Sequence, residues 1–157
     1  MANTISNGEN IKALIVVHRA LLLCQLLFAA AAFYFVYANK FEPILQQQDK
    51  VFQVIAIIFS TGGFLLGSSI FKKRIKKIKQ INKKDIASKI AEYRSASIIQ
   101  WALIEGPCLF SVMCFMLIGN YSFLALATVL IITFGILAPS KIKIAFYIQV
   151  SEKEMME

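Results

Sequence analysis

One carboxylate stands where water does not reach. Glu105 lies inside Ser95–Ile118, a run of 24 residues that carries no other charge and is apolar enough to cross a bilayer. An ionisable group at that depth costs about 2.5 kcal/mol or more, so it calls for a partner and marks a functional position. If the span begins at Ser95, a rise of about 1.5 Å per residue puts Glu105 roughly 15 Å deep. Gly106 and Pro107 follow directly. The proline removes a backbone donor, which predicts a kink and a freed carbonyl near the carboxyl. Arg94 precedes Glu105 by three helical turns and points the same way from the edge of the span.

Candidate partners come from the first apolar stretch. His18, Gln25, Ala29 and Ala32 are spaced to share one helix face. That face is polar at one end and small further in, which suits close helix contact. A span beginning near Leu14 puts Gln25 level with Glu105, and Arg19 is long enough to reach inward. Gln25 or Arg19 is therefore expected nearest Glu105, with His18 next.

A second cluster is cationic. Ten of the 17 Lys and Arg residues fall between Lys72 and Arg94, and with Asp85 and Glu92 this segment nets +8, the charge of the whole chain. Lys72, Lys73, Arg74, Lys76, Lys77 and Lys79 are the candidate contacts to anionic lipid head groups, each worth about 1 kcal/mol near such a surface. No aromatic residue is interleaved with these lysines for base stacking, so nucleic acid is not an expected partner.

Other chemistries lack their residues. Cys24, Cys108 and Cys114 have no metal-ligand spacing, and His18 is the only histidine, so no metal or cofactor is expected. Gly-x-Ser-x-Gly, His-Glu-x-x-His and Walker patterns do not occur, and an enzyme is not expected.

The elements that position these groups are membrane helices. Hydrophobic residues make up 58% of the 157, charged residues only 17%, and mean hydropathy is +0.66. Four stretches reach spanning length: 13–37, 51–71, 95–118 and 121–138. Isolated strands leave backbone groups unsatisfied in lipid, so each must be a helix. The first is too long for a signal peptide.

The basic segment 72–94 between the second and third stretches sets that connection on the cytoplasmic side. Both termini then follow as cytoplasmic, in a multi-pass protein of the bacterial inner membrane. The tight connection at Gly119–Asn120 makes the last two spans a close hairpin.

Within 72–94, Ile75, Ile78 and Ile81, then Ile86 and Ile90, recur at helical spacing, and Asp85 is a fitting N-cap. The expected fold is a single all-α domain. It has four transmembrane helices in two antiparallel hairpins, with a cytoplasmic helical extension between the second and third. Pro139 should stop the fourth helix, and Lys141 onward suits a short interfacial helix.

The segment from Tyr93 to Phe110, which carries Ala102-Leu-Ile-Glu105 and then apolar and aromatic residues, resembles the carboxylate-bearing helix of the c-type proteolipids of rotary ATPases. The resemblance covers 18 residues and implies that Glu105 accepts and releases a proton or sodium ion. The four-span length matches the duplicated members of that family. The chain departs from it in having only 7 glycines and a long lysine-rich connection.

Three functions follow as expectations. The first is an oligomeric ion- or proton-handling module built on Glu105. The second is a non-catalytic accessory or assembly subunit of a larger membrane complex. The third is a protein that binds anionic lipid through its basic segment.

Overall fold

Long unbroken helices follow from long apolar runs that contain few helix breakers. The computed structural model describes residues 7–38, 45–80 and 86–151. Among the described residues there are five α-helices and no strand. They are α1 (Asn7–Tyr37), α2 (Asp49–Ile78), α3 (Ile86–Ile118), α4 (Tyr121–Ile136) and α5 (Lys141–Ile148), with a short 3-10 turn at Gln46–Gln48 before α2.

Three helices, α1, α2 and α3, are long and apolar enough to cross a membrane. The fourth span, expected over 121–138, ends at Ile136. It reaches spanning length only if α4 and α5 are taken together, and the two are bent by 70° at their junction. Pro139 explains the break, since it has no N–H to continue the ladder.

The helix α3 is the hub. Its face at Ile104, Cys108, Val112 and Phe115 is fully buried, and it packs most extensively on α2, then on α4 and α1. The outer faces of α1 and α2 expose large apolar side chains, among them Val16, Leu27, Ile58 and Leu66. Apolar surface on that scale is unlike a water-soluble monomer and is consistent with a multi-pass membrane protein.

The seam between α2 and α3 is built from small residues. Ala56, Ser60, Gly63 and Gly67 form one buried stripe on α2 at spacings of three and four, the pattern that lets helix backbones approach closely. Gly63 lies directly against the backbone carbonyl of Leu103, and its missing side chain leaves room for that contact. Leu103 is the residue whose carbonyl Pro107 leaves without an intrahelical donor. The helix itself continues through Pro107 as far as Ile118.

The two ends of the bundle are tied differently. At one end Gly119, at φ 77°, makes the turn into α4. Asn120 caps that helix by accepting from Ser122 N at 2.9 Å and donates to the Asp49 carboxylate at 2.8 Å, which joins the start of α2 to the α3–α4 turn. At the other, basic end, Ile75, Ile78 and Ile90 are buried in the common core and Ile86 packs against it. The isoleucine stripes therefore face inward. Ile81 and Asp85 lie outside the described residues.

Candidate functional site

Two sites need to be distinguished: the surroundings of Glu105, and a cleft at the basic end of the bundle.

Glu105 is half-buried at the margin of the packed face of α3. On the helix wheel it sits between Trp101, Cys108 and Val112, which are buried, and Ile98 and Ala102, which are exposed. Among the described residues no hydrogen bond or ion pair joins it to Gln25, Arg19, His18 or Arg94. Arg19 is exposed. Arg94 instead donates to Asn10 Oδ1 at 3.3 Å, across to α1.

That contact, together with the edge-on packing of His18 on Trp101, places α1 against α3 at an offset of about 83–84 residues. Carried along the pair, it sets Glu105 opposite Leu21 and Gln25 opposite Leu109. Gln25 is therefore about one turn beyond Glu105, not level with it. The expected depths took Leu14 and Ser95 as level, whereas α1 lies almost one turn further along.

The shared face of α1 is real. His18, Gln25 and Ala32 are each 1% exposed, and Ala29 is half-buried. His18 is a packing and capping residue. Its ring stacks on Phe134 at 4.6 Å between centroids, meets Trp101 edge-on at 4.8 Å, and Nε2 donates to the Phe134 carbonyl at 3.1 Å. A carbonyl can only accept, so that nitrogen carries the proton.

Gln25 is different, because neither atom of its buried amide has a hydrogen-bond partner among the described residues. A buried unpaired polar group costs roughly 1–3 kcal/mol. Gln25→Leu should therefore raise the thermal unfolding midpoint of the detergent-solubilised protein. A lower midpoint would mean that the amide is bonded in the working protein.

The cations at the basic end of the bundle divide into two sets. Besides Arg94, three are engaged within the protein. Arg74 pairs with Glu92 at 3.3 Å and donates to Ser95 Oγ at 3.0 Å, locking α2 to α3. Lys89, 1% exposed, donates to the Ile148 carbonyl at the end of α5 at 3.2 Å. Lys143 donates to the carbonyls of Ile136 and Ala138, at 3.1 and 3.2 Å, at the broken end of α4. By contrast, Lys72, Lys73, Lys76, Lys77 and Lys79 are exposed and have no ion pair among the described residues.

Between α2, α3 and the α4–α5 bend lies a cleft of about 620 Å³, within the ~300–1,000 Å³ of ordinary ligand pockets. Its wall includes Phe71, Tyr93 and Tyr147, whose rings pack at 5.4 to 6.0 Å from one another, and Trp101. Ser68, Ser97 and Gln100 add polar groups, and Lys72, Lys76 and Lys143 supply the charge. No acidic side chain lines it among the described residues.

The spacing of the sequence did not reveal this cleft, because it draws on four helices and depends on where α5 turns back. The only sequence signal is aromatic residues at the junction of apolar and basic segments. No family model, curated protein or solved structure matches the chain.

Proposed function

We propose that the chain is a multi-pass membrane protein with both termini on the basic, cytoplasmic side, acting as a non-catalytic subunit that assembles with a neighbouring transmembrane chain through Glu105. The neighbour is a second copy or another subunit of a membrane complex. The observation that carries this reading is that Glu105 sits half-buried at the margin of α3 with no hydrogen-bond or ion partner among the described residues. A carboxyl at membrane depth requires such a partner, and an adjacent chain supplies one. The exposed apolar surface of α3 beside it, at Ile98 and Met113, continues the same face.

Interhelical polar contacts in membranes are worth about 0.6–2 kcal/mol. Glu105→Leu should therefore weaken association roughly three- to thirty-fold. Glu105→Gln, which keeps the hydrogen-bonding shape, should leave association close to the parent. Oligomer mass measured in nanodiscs across protein dilution reads both variants. Unchanged association of the Leu variant would rule the proposal out.

A second reading, proton or sodium handling, rests on the same residue and on the resemblance of the segment from Tyr93 to Phe110 to proteolipid helices. It requires that Glu105→Gln abolish ion movement in proteoliposomes while assembly persists. A Gln variant with normal function leaves only the assembly role.

A further inference from the structure

The cleft at the basic end has a composition that matches one class of ligand. Its position decides which. On α2 it extends from Ser68 to Lys76, across the point where the apolar run gives way to lysines. On α3 it extends from Tyr93 to Trp101, across the start of the uncharged run at Ser95. Both helices thus place it at the level where hydrocarbon meets head groups. Ile136, the last residue of α4, and Leu137 just beyond it line the cleft beside the bend at which that helix stops short.

We infer that this cleft holds an anionic membrane phospholipid, with its phosphate at Lys72, Lys76 and Lys143 and its upper acyl chain along Phe71, Trp101 and Leu137. Charge complementarity supports this occupant: the rim carries three cations and, among the described residues, no acid. The aromatic wall supports it too, since Tyr and Trp are the side chains that settle at the head-group level. Ser97 and Gln100, both buried, offer neutral hydrogen-bonding groups between the charged rim and the apolar floor. Lys143 is already fixed on the carbonyls of Ile136 and Ala138, so one of the three cations is held in place without ligand. The site differs from a general attraction of the basic segment to anionic membranes, because Lys73 and Lys77 do not line it.

The chain reports on its own site, because Trp101 is its only tryptophan. The full chain is reconstituted in phosphatidylcholine nanodiscs containing a small fraction of brominated phosphatidylglycerol, or the same fraction of brominated phosphatidylcholine. Brominated phosphatidylglycerol should quench Trp101 at several-fold lower mole fraction than the zwitterionic lipid.

The double variant Lys72→Gln/Lys76→Gln should weaken that preference by at least about tenfold. Lys73→Gln/Lys77→Gln should leave it within about twofold of the parent. All four residues are exposed, so the packing of the bundle is undisturbed. Equal quenching by the two lipids would overturn the inference. An equal effect of the two lysine pairs would do the same, because it would mean attraction to the surface without a site. Release of the quenching by millimolar inorganic phosphate would also overturn it, in favour of a site for the free anion.

Discussion

Gly63→Ala should lower the thermal unfolding midpoint by roughly 5–10 °C, while Gly62→Ala, one residue away, should leave it unchanged or raise it slightly. The difference lies in what each new methyl group meets. At Gly62 there is nothing within 4 Å. At Gly63 the methyl runs into the backbone oxygen of Leu103, with Pro107 Cγ of the same helix 3.0 Å away. A flexible side chain can give way, but a helix backbone pinned by a proline ring cannot, so α2 must move off α3.

Overpacking of this kind typically costs about 1–3 kcal/mol. The α2–α3 seam is the most extensive interface in the bundle, so the loss should be felt throughout. Differential scanning fluorimetry on the two alanine variants in the same detergent tests this. Equal midpoints would show that the helices are not in close contact at Leu103.

His18→Ala should be at least as damaging, at about 3 kcal/mol or more. Its ring is 1% exposed, fills the space between Trp101 and Phe134, and donates to the carbonyl of Phe134. That carbonyl belongs to the last turn of α4 and also accepts from the Leu137 backbone N–H at 3.1 Å, so His18 supplies its second donor. His18 and Lys143 serve this end from opposite directions in the chain. His18→Phe separates the two contributions. It restores the stacked ring but not the donor, and should recover part of the loss, leaving a deficit of roughly 0.5–1.5 kcal/mol from the lost hydrogen bond. If the Phe variant unfolds at the same temperature as the Ala variant, ring packing contributes nothing and the hydrogen bond carries the whole effect.

The helices were legible because a spanning run of apolar residues has few alternatives. The buried face of α1 was legible too, since His18, Gln25 and Ala32 repeat at seven residues and such a repeat returns to the same side. What those side chains meet was not legible. Partners across helices depend on axial register, which shows only in contacts such as Asn10–Arg94 and His18–Trp101 that no local pattern records. Lys89 shows the same limit. By sequence it is one more cation in a solvated run, yet it is buried because α5 returns to place the Ile148 carbonyl over it. Arg74, expected among the head-group contacts, is paired with Glu92 for a similar reason: the pair forms only where α2 and α3 meet, 18 residues apart in sequence.

The shortness of α4 has a mechanical consequence for the surrounding lipid. Its 16 residues extend about 24 Å, whereas the hydrocarbon layer is about 30 Å thick. In a bilayer with the Tyr121 end at one boundary, the helix would stop about 6 Å short of the other, near the 70° bend into α5. Hydrocarbon chains bordering that side of the bundle would then have to shorten or tilt, while those beside α1 and α2 would not. A one-sided depression of that kind would favour thinner membranes and neighbours that share it, through the elastic cost of mismatch.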